Sequence, residues 1–202
     1  MNDPKKWMRE IGSWLMAILL PVLIIFVLNL KVFVIASVNQ QSMMTTLRPG
    51  EVVYYNRFAA DINQLQREDI ILFLSNDRQK QGFLDEVSIK WTDFMDAILR
   101  RPQTHERYVK RIIGLPGDVV DIRDGAITVN GVKEARSYVR GTTLEGEFGP
   151  YPVTVPEGKL FVVGDNREVS KDSRAFGFID IKSVEGRAVY LIWPLNRVQT
   201  IR

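Results

Sequence analysis

A serine just beyond a long apolar run and a lysine inside an apolar strand are the two groups of this chain best suited to chemistry. The lysine is Lys110, in the run Tyr108-Val109-Lys110-Arg111-Ile112-Ile113-Gly114-Leu115-Pro116-Gly117-Asp118, whose composition and Gly/Pro turn predict a partly buried strand. Alternation along a strand puts Lys110 on one face with Tyr108 and Ile112, and Arg111 on the other with Val109 and Ile113. Burial favours the neutral amine and can lower its pKa from about 10.4 by as much as about 3–5 pH units. An amine of that kind can take the proton of a serine. Adjacent basic residues in a strand also snorkel to solvent along their alkyl stems, so Lys110 alone does not decide between the two roles.

The serine is Ser42, in Asn39-Gln40-Gln41-Ser42-Met43-Met44-Thr45-Thr46-Leu47-Arg48-Pro49-Gly50, polar at first and closed by a turn. It needs a base, and with one histidine in the chain the candidates are His105 or a lysine. A Ser–His pair needs a third group to orient the imidazole, and nothing in Pro102–Glu106 looks like a buried orienting site. A third segment, GDNREVSKDSRAFG (residues 164–177), follows the apolar strand Leu160–Val163. Its Gly, Asp, Asn and Ser are common turn formers, so a solvated loop is the plain reading. Its hydroxyls and Asp/Arg pairs could instead orient a buried amine.

Composition narrows the field. The 202 residues allow one anchored domain or two small ones. A net charge of +3, with basic residues scattered along the chain, does not suggest nucleic acid as a partner. Cysteine is absent, which excludes disulfides, thiol nucleophiles and cysteine metal sites, and the single histidine excludes a multi-histidine metal site within one chain. No cofactor or metal is expected.

The elements that must position these groups begin with Ile11–Leu30, an almost unbroken apolar run of about 20 residues, or roughly 30 Å as a helix. Lys5, Lys6 and Arg9 precede it, so the positive-inside rule predicts a cytoplasmic segment 1–10, a single-pass anchor 11–30 and an extracytoplasmic domain 31–202. A cleavable signal peptide would have a shorter apolar region, of about 7–15 residues, although Val34-Ile35-Ala36 fits a cleavage pattern. Beyond it, Lys31–Val38, Glu51–Phe58, Asp69–Leu74, Leu160–Val163 and Arg187–Trp193 read as strands. Asp124-Gly125 and Asn130-Gly131 mark tight hairpin turns. The chain is therefore mainly β: an antiparallel sandwich or barrel-like domain after an N-terminal transmembrane helix.

One segment departs from this pattern. Gly82–Arg101 carries Phe83, Val87, Trp91, Phe94, Met95 and Ile98 at three- and four-residue intervals, predicting an inserted amphipathic helix with acidic residues first and Pro102 after it. Its apolar stripe is expected to pack on the β domain, while Trp91 and the basic residues near it leave open docking on a membrane surface. Residues 75–81 and 140–152 read as polar loops.

Taken in order, the three segments resemble the type I signal peptidases, membrane-anchored Ser/Lys proteases that remove signal peptides from exported preproteins. QQSMMTTL is similar to the family's serine box and YVKRIIGLPGD to its lysine box, while GDNREVSKDSRAFG matches its last box throughout. The resemblance implies Ser42 as nucleophile, Lys110 as general base, Ser170 as the serine orienting the amine, and Asp172 with Arg174 as a supporting ion pair. It also implies an acyl-enzyme, substrates with small residues at the first and third positions before the cut, and the lipid bilayer and export translocon as partners. Two positions depart from the family pattern. Gln40 stands where a serine helps line the oxyanion hole, and Thr45 stands at the usual proline. Neutrality of Lys110 near pH 7 is expected from burial together with the charge of Arg111 or Lys171. A membrane-anchored module that only binds exported proteins would need neither Ser42 nor Lys110.

Overall fold

In the computed structural model, which describes residues 4–60, 64–75, 82–102, 104–134 and 137–201, the valine- and isoleucine-rich runs pair into two antiparallel sheets. The elements are α1 (Pro4–Lys31), β1 (Phe33–Ser37), β2 (Val52–Asn56), β3 (Ile70–Leu74), α2 (Phe83–Ile98), β4 (Arg107–Gly114), β5 (Val119–Arg123) and β6 (Ala126–Val129). They continue with β7 (Val132–Lys133), β8 (Val153–Thr154), β9 (Lys159–Val163), the helical turn α3 (Ser173–Phe176), β10 (Ile179–Asp180), β11 (Val184–Trp193) and β12 (Gln199–Thr200). The larger sheet has the order β1-β2-β11-β3-β4-β9-β10, with β12 on β11; the smaller is β7-β6-β5-β8.

Packing follows from alternation. Ile113 of β4 and Phe161 and Val163 of β9 meet Val120, Ile122, Ile127 and Val129 of the small sheet, which joins the two sheets through one core. A second core holds Val34, Val53, Tyr55, Leu72 and Leu191 together with Met43 and Leu47, so the segment carrying Ser42 is fastened by its own apolar residues. Both expected hairpin turns form, with Asp124 and Gly125 at φ 50° and 71° and Asn130 and Gly131 at 52° and 80°, the left-handed pair that such turns demand.

Three findings bear on the helices. α1 is a 28-residue helix containing Pro21. Among the described residues no helix is long and apolar enough to cross a membrane. The unbroken stretch of α1 with described side chains is 10–25, shorter than the roughly 20 residues a span needs, and the expected span 11–30 exceeds it. α2 lies where the periodicity puts it; of the expected stripe Val87, Phe94 and Met95 are half-buried and Trp91 is exposed, while the side chains of Phe83 and Ile98 lie outside the described residues. Ile89 is buried and Trp91 is exposed, and the face toward the sheet is the charged one. The expected loop 75–81 falls, beyond Ser75, outside the described residues.

Candidate active site

β4 puts Lys110 in the interior. Its strand neighbours pair with β3 on one side and β9 on the other, and the residue is 1% exposed. Lys110 Nζ donates to Ser42 Oγ at 2.7 Å and to the Val109 carbonyl at 3.2 Å, and it lies 5.4 Å from the centre of the Tyr108 ring. Burial pulls the Lys110 pKa down to about 8, although the carboxylates of Asp172 and Asp165 pull the other way. The expected help from Arg111 is therefore not the cause. Arg111 is spent on Asp165, through two hydrogen bonds of 2.8 Å.

Ser42 sits in a tight turn after β1, where the N–H groups of Thr46 and Leu47 donate to the Met43 carbonyl at 3.0 and 2.8 Å. The turn is held from outside by the third segment. Asn166 donates its backbone N–H to the Ser42 carbonyl at 2.9 Å and its side-chain amide to the Gln41 carbonyl at 3.2 Å. Thr46 Oγ1 donates to Asp165, which ties the same turn to the Arg111 pair. Gly164 is needed for space, because a Cβ there would come within 2.6 Å of the Ser42 carbonyl and would also strike Ser170 Oγ.

Asp172 is fully buried and caps α3. It accepts from Gly164 N at 3.0 Å and from Arg174 Nε and Nη2 at 2.9 Å each. Arg174 in turn donates to the Arg167 carbonyl at 2.7 Å, and Arg167 to Glu134 at 2.6 and 2.7 Å. Buried charges of this kind hold their geometry because each has a partner. Ser42 opens on a cavity of about 760 Å³, walled on one side by Val34–Gln40 and on the other by Lys90, Asp93 and Phe94 of α2.

A family model described as signal peptidase, peptidase S26, matches residues 11–193. The chain belongs to the signal peptidase family. It is similar to signal peptidase IB of Staphylococcus aureus (strain COL), with 29% identity over 203 residues that cover 93% of this chain and 92% of that protein. Signal peptidase I of Bacillus licheniformis is 31% identical over 201 residues, covering 95% and 93%. A crystal structure of a signal peptidase I from Enterococcus faecalis V583 shares 35% identity, covers 61% of this chain and 95% of its own, and superposes with a TM-score of 0.40.

A signal peptidase needs a nucleophile, a base and a groove for an extended peptide. Ser42 and Lys110 are in hydrogen-bond contact at the cavity, and Asp172 and Arg174 form the expected pair behind them. Gln40 lines the cavity and is exposed to it. Ser170 makes no hydrogen bond with the amine: its Oγ is buried, lies beside Gly164, and has no hydrogen-bond partner among the described residues. The departure at Thr45 has a backbone reason. Thr45 has φ 150°, which a proline ring cannot adopt, and its hydroxyl donates to the Tyr138 carbonyl at 2.5 Å.

Reading from sequence alone misjudged His105. The imidazole is buried with Nδ1 2.9 Å from Asp93 Oδ1, so it does have an orienting carboxylate, supplied by α2 twelve residues away in sequence. It lines the same cavity as Ser42, yet Ser42 Oγ is engaged by Lys110. Asp165, Asn166 and Thr46 were passed over as individual residues. The signal was present in the GDN of the last segment, whose backbone and carboxylate fasten the serine turn.

Proposed function

We propose that this signal peptidase cleaves signal peptides from exported preproteins with Ser42 as nucleophile and Lys110 as general base. The observation that carries this is the 2.7 Å contact between Lys110 Nζ and Ser42 Oγ at a buried amine. A pKa of about 8 leaves about one amine in ten neutral at pH 7, against about one in three thousand at the ordinary 10.5. Neutral Lys110 takes the Ser42 proton as Oγ bonds to the scissile carbonyl carbon. The resulting ammonium protonates the leaving amine as the C–N bond breaks, which gives the acyl-enzyme. Lys110 then takes a proton from water, water oxygen bonds to the acyl carbon, and Ser42 leaves with the proton restored.

The oxyanion is held by the backbone N–H of Ser42 and by the amide of Gln40, which stands in for a hydroxyl. The task of orienting the amine is assigned to Ser170, whose buried Oγ beside Gly164 has no other hydrogen-bond partner, and the Asp172–Arg174 pair holds the segment that carries it. The substrate lies extended along β1, the edge strand of the large sheet, and apolar pockets there accept small side chains at the first and third positions before the cut.

The chain divides into a cytoplasmic segment 1–10, an anchor 11–30 and an extracytoplasmic catalytic domain 31–202, with bilayer and translocon as its setting. Two features support the anchor: α1 continues unbroken from Pro4 to Lys31, and its side chains from Trp14 to Ile25 include Leu15, Ile18, Leu19 and Leu23, all exposed. The test is cleavage of a preprotein in detergent micelles, with the new amino terminus sequenced. Ser42→Ala and Lys110→Ala are expected to abolish it. Unchanged cleavage by either variant would remove that residue from the dyad.

A further inference from the structure

α2 is inside out. Glu86, Ile89, Lys90, Asp93 and Asp96 recur at the spacing of one helix face, and that face is turned to the protein. Each charged member has a partner there. Glu86 pairs with Arg57; Lys90 Nζ lies 3.0 Å from Glu185; Asp93 accepts from Arg107 and faces His105; Asp96 accepts from Thr104 at 2.7 Å. The opposite face carries Leu84, Ser88, Trp91 and Met95, and Leu99 continues the stripe past the last turn. Leu84 is 80% exposed, Trp91 55% and Leu99 47%.

A helix on a water-washed surface has the opposite arrangement, apolar toward the core and charged toward solvent. The orientation here is not loose packing. Turning the helix over would take Glu86 from Arg57, Asp93 from Arg107 and Lys90 from Glu185, and would leave of these pairs only the one that Arg107 and Glu185 make with each other. Something apolar is expected on the outer face, and the neighbourhood specifies what. α2 touches α1, and Ile25 of α1 lines the same cavity as Lys90, Asp93 and Phe94. Exposed Arg100 and Arg101 follow the stripe directly. An apolar stripe with a tryptophan, closed by cations and adjoining an apolar helix, suits the boundary between acyl chains and anionic headgroups.

We propose that α2 lies on an anionic lipid surface, with Leu84, Trp91 and Leu99 in the acyl boundary and Arg100 and Arg101 among the headgroups. It would hold the wall of the Ser42 cavity at the level where a substrate leaves the bilayer. The proposal rests on the signal-peptidase reading put forward above, and does not require α1 itself to span the bilayer.

The chain has no cysteine, so single-site spin labels can be introduced without background. The full chain is reconstituted in vesicles of phosphatidylethanolamine and phosphatidylglycerol, with labels at Leu84→Cys, Trp91→Cys and Leu99→Cys. Leu19→Cys reports on α1, and Glu157→Cys on an exposed loop of the small sheet's side. Collision with oxygen marks lipid, and collision with a water-soluble nickel chelate marks water. The expected result is a several-fold higher oxygen-to-nickel ratio at 84, 91 and 99 than at 157. Nickel access at those three sites equal to that at 157 would overturn the proposal, whatever Leu19 reports. Shielding from both reagents would also overturn it, because protein would then cover the stripe. A lipid signature on α2 with Leu19 in water would uphold it and remove the anchor reading instead.

Discussion

Asp165 closes on Arg111 and leaves Lys110, the preceding residue of β4, without a carboxylate among its hydrogen bonds. Two cations one residue apart are both almost fully buried, one on each face of a strand. One is neutralised by a partner, and the other gives up its proton more readily because burial penalises its charge. The strand thereby separates a structural cation from a reactive amine by the pleat alone.

Cleavage should accelerate with pH. If Lys110 must be neutral, and burial holds its pKa at about 8, the rate is expected to rise about tenfold per pH unit on the acid side and to level off above about 8. The check is a profile of preprotein cleavage under single-turnover conditions. A rate constant flat between about pH 6 and 8 would exclude a lysine base with this pKa.

The same burial costs stability. The folded pKa of about 8 lies below the ordinary 10.5, so the unfolded chain binds more protons between those values and stability rises with pH across that window. Below about 8 the penalty is present in full, at about 3 kcal/mol. Lys110→Met is expected to be inactive yet more stable at pH 7, and to lose this part of the pH dependence. Urea unfolding at pH 7 and at pH 10 measures both.

Thr45 is the position where the chain parts from its family's proline. Because φ is 150° there, Thr45→Pro is expected to destabilise by more than about 1 kcal/mol and to lower turnover by displacing the Ser42 turn. A thermal melt and a cleavage assay on the same preparation are sufficient. Full activity in the variant would mean that the turn can adopt another backbone path.

Gln40→Ala tests the oxyanion role proposed for this side chain. Loss of one such hydrogen bond lowers kcat by about 10²–10³, and the exposed position predicts no change in unfolding. An unaltered rate would leave the Ser42 N–H without help from this side chain.

How much of this was legible in sequence depended on the range of the interaction. The β4 strand could be read from local composition, which left its lysine open between burial and snorkelling; the two hairpin turns could be read as well, since Asp-Gly and Asn-Gly act on their own backbone. α2 was legible as a helix but not in its orientation: periodicity locates an apolar stripe without saying which face has partners, and the charged face had five of them in other elements. His105 was misread for the same reason, since Asp93 reaches it from α2. The hold of Asn166 on Ser42 is a backbone hydrogen bond, and no side-chain pattern encodes it.

Ser42 and Lys110 lie 68 residues apart, and the amide that steadies the serine turn is 125 residues from the carbonyl it binds. No fragment of the sequence contains the working constellation. A half-synthesised chain, or one whose β4 and β9 have not yet met, carries a serine and a lysine that are as harmless as any others. Recovery of activity on refolding is therefore expected to follow long-range strand pairing rather than collapse.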